Sequence, residues 1–150
     1  MEVILVSGFI STFVKQELIS YMPYIKEKIE LEHTTITLYD NTILEIELND
    51  NFFYTIKEAS EINHVMNKLV VHGKMRALLL AGSYSDCDTE TRMFISSDEI
   101  CSKLIAMALV TRSIAQDILG NFIVAYDRPS KPAKVFRSKQ KATKWILEIK

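Results

Sequence analysis

The chain has 150 residues, 48% of them apolar and 25% charged, with four glycines, three prolines and a formal net charge of -1. That length suits one domain able to bury about 68–70% of its unfolded surface, and the composition excludes collagen-like, low-complexity and highly charged disordered chains. Two cysteines, Cys87 and Cys101, are too few for a disulfide framework and lack metal-ligand spacing, which points to a reduced cytoplasmic setting while leaving a single bridge open.

The opening run MEVILVSGFISTFV carries Glu2 where a signal peptide has basic residues. Lys15 and Glu17 stop it short of the about 20 apolar residues that cross a bilayer, so no membrane span is expected. Over residues 12–28, Phe13, Val14, Leu18, Ile19 and Met22 form a helical stripe that Pro23 interrupts. Residues 1–28 are therefore read as an N-terminal helical extension, with Met22 an alternative natural start, and residues 29–150 as the main domain.

Two β-branched, alternating runs around Asp40-Asn41 predict an antiparallel hairpin, with strands near 34–39 and 42–48. Ile56, Ala59, Ile62, Met66, Leu69 and Val70 then recur at helical spacing up to Gly73, where a left-handed C-terminus is expected. The unbroken apolar run Ala77–Ala81 predicts a strand covered on both faces. The polar loop GSYSDCD follows, and Asp88 or Thr89 can cap a helix through TETRMFIS, with a break or second short helix through SSDEICSKL. IAMALVT predicts a second buried strand.

Ser113 and Gln116 have capping-box spacing at the head of the next helix. Ile114, Ala115, Ile118, Leu119, Phe122, Ile123 and Tyr126 form one broad apolar face there, and Gly120 within it suggests close approach to the sheet. Asn121 is expected to hydrogen-bond across to the proline-rich link. Pro129 and Pro132 end the helix and carry the chain extended to the short strand KVF. Ser138 caps a last helix whose Ala142, Trp145 and Ile146 face inward. The resulting order, ββαβαβαβα, implies an α/β domain with a mixed β-sheet, an N-terminal β-hairpin and helices packed against the sheet.

Chemistry-bearing patterns are sparse. His64 and His72 lie about 12 Å apart along one helix, too far to share a metal ion, and His33 is isolated. The carboxylates beside Cys87 raise its thiol pKa, the wrong direction for a nucleophile. Phosphate loop, dinucleotide fingerprint, zinc spacing and nucleophile elbow are all missing from the sequence, so neither an enzyme nor a metal or other cofactor is expected. Residues 127–150 carry eight Lys/Arg against two acids, and the preceding residues ten against seventeen. The basic tail reads as a solvated helix face, and nucleic-acid binding through it would depend steeply on salt.

Gly120-Asn121-Phe122, the Pro129-to-Pro132 link, Lys134-Val135-Phe136 and Ala142 to Trp145, taken with the buried strand before them, resemble a family of small bacterial proteins of unknown function described as STAS-like or SpoIIAA-like. The likeness extends more weakly back to about Ile29 and leaves residues 1–28 outside. It implies a SpoIIAA-like fold in which Gly120, Asn121, Pro129, Pro132, Phe136 and Trp145 are structural, Phe136 and Trp145 being buried beneath the glycine-bearing helix. It also implies a non-enzymatic regulatory or protein-interaction module, with a homo-oligomer as one form of partnership. Some STAS-like domains are phosphorylated at the start of the helix after a central strand. The counterpart here is Thr89, preceded by Asp88, with Ser85 a lesser candidate, although the Asp-Ser-Ser/Thr-Gly form of that motif is absent and an ordinary N-cap is the plainer role for Thr89. Arg112, Arg128 and Lys131 are candidates for contact with an anionic partner. The alternative, from the likeness of SpoIIAA-like folds to lipid-carrying CRAL-TRIO domains, is a carrier or sensor of a small apolar ligand.

Overall fold

A computed structural model describes residues 23–70 and 73–150. Its frame is a six-stranded sheet in the order β1-β2-β3-β5-β7-β8. The strands are β1 (Ile25–Glu30), β2 (Thr34–Tyr39), β3 (Ile43–Leu48), β5 (Met75–Leu80), β7 (Leu104–Val110) and β8 (Ala133–Phe136). The first three pair antiparallel, and β3, β5, β7 and β8 run parallel. Between them come helices α1 (Ile56–Leu69), α2 (Thr89–Ile95), α3 (Asp98–Cys101), α4 (Ile114–Phe122) with a π-helical turn at Ile123–Asp127, and α5 (Lys139–Glu148).

Period-two alternation, interrupted in β7 by a register shift between Leu104 and Ala106, sorts the core into two layers. Ile36, Leu44, Ile46, Ala77, Leu104 and Met107 meet Val65 and Met66 of α1 and Ile100 and Cys101 of α3 on one side. Ile43, Leu78, Ala106, Ala108 and Val110 meet Ala142 and Ile146 of α5 on the other. The central parallel strands, covered on both faces, account for the unbroken apolar runs.

Side chains hold several helix ends, of which only the Ser138 cap was expected from the sequence. Thr55 and Glu58 complete a capping box on α1, and Ser138 caps α5 by accepting from the Lys141 N–H. The α5 carbonyls of Ile146 and Ile149 would lack partners at a helix end, and Arg76 donates to both, at 3.0 and 2.8 Å. The hairpin break at Asp40-Asn41 is observed, with Thr42 at φ 73°. A β-branched residue there is unusual, and its carbonyl accepts from the Arg76 N–H at 2.9 Å.

Three expectations are corrected and one element is new. The helical stripe over residues 12–28 lies largely outside the described residues, and its last part, Ile25–Lys28, belongs to β1, so the boundary at residue 28 falls inside an edge strand. Three consecutive charged residues, Lys26, Glu27 and Lys28, separate Ile25 from Ile29, so this mostly exposed edge strand carries no period-two signal of its own. Gly73 has no positive φ; α1 ends at Leu69 with Val70 as its C-cap. A two-stranded parallel ribbon of β4 (Phe53–Tyr54) and β6 (Asp86–Cys87) was not foreseen, two residues being too short to show a period. Finally, Phe136 and Trp145 do pack together, ring centroids 5.6 Å apart, but on the α5 side of the sheet. Gly120 instead faces Leu109 and Val135. Adjacent residues of a strand point to opposite faces, so Val135 and Phe136 cannot both lie beneath α4.

Gly82, buried after β5, is the tightest backbone contact. A Cβ there would meet the Asn49 carbonyl oxygen at 2.2 Å and the Asp50 nitrogen at 2.8 Å. Rigid backbone cannot yield as a side chain can, so Gly82→Ala is expected to lower stability by about 3 kcal/mol, read as a reduced midpoint in urea unfolding.

Candidate functional site

The ends of β5 and β7 bring together the loop 81–88, α2 and α4. Gln116 organises this corner. Its buried side chain accepts from the Arg112 N–H at 2.8 Å and donates to the carbonyls of Gly82, at 2.8 Å, and Ser85, at 3.2 Å. Half of the expected capping box is present, since Ser113 accepts from the Gln116 N–H at 3.1 Å. The Gln116 side chain does not return to Ser113, because the loop after β5 needs it more: a buried carbonyl without a donor costs about 1–3 kcal/mol.

One turn on, Gly120 lies against the sheet. A Cβ there would meet Leu109 Cδ2 at 2.7 Å and Val135 Cγ2 at 3.0 Å, so the close approach suggested by the sequence is observed. These contacts make Gln116, Gly120 and Ile123 the buried line of the helix and turn. Ile114, Ile118, Phe122 and Tyr126 then point outward, 73%, 67%, 40% and 72% exposed. The single broad face expected from sequence is thus split between core and surface.

The outward stripe is ordered by its own contacts. Phe122 and Tyr126 stack at 4.6 Å, and the Arg92 guanidinium sits 4.4 Å from the Phe122 ring centre. A stripe at every fourth residue drifts by about 40° per step on a regular α-helix. The wider π turn rotates Tyr126 back over Phe122, and such turns recur at functional sites. Arg92 also approaches Asp127 at 2.8 Å, both side chains being largely buried. The N–H points off the carboxylate, leaving an ion pair without an aligned hydrogen bond. It ties the π turn to α2.

Asp88 caps α2, its carboxylate accepting from the Thr91 N–H at 2.7 Å, and that bond draws its pKa down. Thr89, for which a cap was the plainer role, is the exposed first residue instead. A phosphate on it would stand beside Asp86, Asp88 and Glu90, with the cap already filled. Ser85 is buried and donates to the Gly82 carbonyl at 2.8 Å. Cys87 has its thiol pushed up to about 11, by burial first and then by Asp86 and Asp88; it and the buried Cys101 are free thiols. His64 is exposed, His33 stacks on Phe52, and His72 lies outside the described residues. Among the described residues no three His, Cys, Asp or Glu side chains gather as metal ligands, and no helix is long and apolar enough to cross a membrane.

The cationic candidates do not form one site. Arg112, exposed, donates to Ser83 at 3.2 Å and lies 3.9 Å from Asp50. Exposed Arg128, left-handed at φ 49°, is at the other end of α4 and its turn, about 24 Å away by helical rise, with half-buried Lys131 beyond. Asn121 is exposed and donates back to the Asp117 carbonyl, not to the proline link. An outward amide on the helix can reach the carbonyl one turn earlier and nothing farther. Asp117 accepts from the Thr111 hydroxyl and pairs with Arg137 at 2.7 Å, which together hold its pKa down.

Behind the corner, between the sheet and α1, α2 and α4, is a cavity of about 140 Å³. Its walls are chiefly aliphatic side chains and methionines. Neither the outward stripe nor the cavity was legible as such in the sequence. The only signal was the excess of apolar positions on α4 over what one face can bury.

A parallel-plus-hairpin sheet with helices on both faces is the SpoIIAA-like architecture. The structure is similar to the crystal structure of an uncharacterized protein of the DUF3478 family with a SpoIIAA-like fold from Shewanella loihica PV-4. The TM-score is 0.53 at 10% identity, over 83% of this chain and 95% of that one. The chain belongs to a family described as a domain of unknown function, DUF7793, whose model matches residues 36–150. No curated protein matches the sequence.

Two expectations follow. Gln116→Leu strands the Ser85 carbonyl and the Arg112 N–H and should destabilise by about 3 kcal/mol in chemical denaturation. Asp117, Glu58 and Asp88 all have depressed pKa values, from the Thr111, Thr55 and Thr91 hydrogen bonds respectively. Groups depressed in the folded state stabilise above their unfolded pKa, about 4, and that stability disappears as pH falls through the folded value. The melting temperature should therefore fall as pH drops below about 4, and Asp117→Asn should reduce that fall.

Proposed function

We propose that this chain is a non-enzymatic interaction module that docks an amphipathic helix of a partner protein on the outer face of α4. The observation that carries the reading is the exposed line Ile114, Ile118, Phe122 and Tyr126. It extends about 18 Å by helical rise and offers the anchors at every fourth residue that a helix partner needs. Contiguous exposed apolar side chains with a polar rim mark interaction surfaces. Arg112 and Arg128 bracket the line, so the complementary helix carries an apolar face and acidic flanks. A second copy fits less well, because antiparallel packing of α4 on itself would bring the Arg112 of one chain near the Arg128 of the other.

A displayed library of helical peptides, selected on the full chain, tests the reading. Selected peptides should share apolar residues at helical spacing with Asp or Glu at the ends. Ile118→Asp, at a position 67% exposed, should leave the melting temperature within about 2 °C and weaken those peptides at least tenfold. Peptides that bind wild type and Ile118→Asp equally would overturn the α4 face. A chain that self-associates, with the dimer lost in Ile118→Asp, would replace the heterologous partner with a second copy.

A further inference from the structure

The cavity behind α4 departs from ordinary interior packing. Cores of this size leave few voids larger than a water molecule, and an unfilled void deprives its lining of dispersion contacts. Here Ile62, Met66, Leu79, Met107, Leu109 and Ile123 face about 140 Å³ of space that opens partly to the surface beside Asp86. Apolar cavities of about 150 Å³ remain dry and admit a molecule the size of benzene.

The polar groups of the lining narrow the choice. Asn63, Ser85, Thr111 and Gln116 are each engaged within the protein. Asp86 is exposed and accepts from the Cys87 N–H. Thr91 differs: it lines the cavity, is 3% exposed, and its hydroxyl has no hydrogen-bond partner among the described residues. Helical threonines ordinarily satisfy that hydroxyl by bonding to the carbonyl one turn back. An ordered water is a poor occupant, since it requires two to four polar partners and Thr91 supplies one. An ion would surrender its hydration with no buried countercharge, and a lipid chain is far too large.

We propose that this cavity is a binding site for a compact, uncharged, largely apolar molecule of about benzene size that carries one hydroxyl or carbonyl group engaged by Thr91. The walls supply affinity through apolar burial, and the unpaired hydroxyl supplies orientation. The site is separate from the α4 docking face, since Ile114, Ile118 and Tyr126 do not line it; each can fail without the other.

Benzene and phenol titrated into the full chain, with Ile, Leu and Met methyls labelled for NMR, test the site. Both probes should shift the methyls of Ile62, Leu79 and Met107, and leave those of Ile114 and Ile118 unmoved. Thr91→Val should reduce phenol affinity at least fivefold while leaving benzene affinity equal or improved. Ala59→Leu, projecting from α1 into the lining, should abolish both; if that variant does not fold, the wild-type methyl map still decides. Absence of any shift at the three cavity methyls near probe solubility, or shifts confined to Ile114 and Ile118, would overturn the site. An unchanged ratio of phenol to benzene affinity in Thr91→Val would overturn the role of its hydroxyl.

Discussion

The seating of α4 on the sheet is the constraint on which the rest of this molecule depends. Gly120 lets the helix approach until only the space of a missing Cβ separates it from Leu109 and Val135, and Gln116 fixes its rotation by serving the loop after β5. The two contacts lie one turn apart on the same side of the helix. Together they assign the inner line to residues of little hydrophobic value, a glutamine and a glycine, and turn Ile114, Ile118 and Phe122 toward water.

That choice is energetically odd in isolation and sensible in context. Burying an isoleucine contributes about 1.5–3 kcal/mol, so a free helix would place Ile114 and Ile118 against the sheet. Rotating them inward would drive side chains into Leu109 and Val135 and would strand the buried Ser85 carbonyl and the Arg112 N–H. The Arg92 contacts to Phe122 and Asp127 and the π turn then hold the exposed aromatic pair in one arrangement. An apolar surface that is rigid before binding loses less entropy on association than one that must be ordered.

The same seating bears on the interior. Glycine and glutamine fill less of the layer between sheet and helices than the apolar residues they displace, and Gly120 and Gln116 both line the cavity. Thr91, reaching this space from α2, leaves its hydroxyl unpaired there. One helix orientation thus accompanies both unusual features of the fold, an apolar line outside and a partly open apolar pocket behind it. Their chemistry differs: the line is long, flat and bracketed by arginines, whereas the pocket is compact and nearly without polar demand.

The amino-acid sequence alone determined the α/β class, the central apolar strands, the caps at Ser113 and Ser138, the tight glycine in α4 and the SpoIIAA-like fold. Each depends on period, on local hydrogen-bond chemistry or on a short motif, all of which are written within a few consecutive residues. It did not determine that Ile25–Glu30 joins the sheet, because an edge strand is defined by its neighbour and not by its own pattern. Nor could it say which half of α4's apolar residues is buried or that Phe136 and Trp145 lie across the sheet from Gly120. Gln116's real partners are some thirty residues earlier in the chain, at Gly82 and Ser85. Only the tertiary structure decided these points, because they arise from contacts between segments far apart in sequence, where excluded volume and the pairing of buried polar groups outweigh local preference.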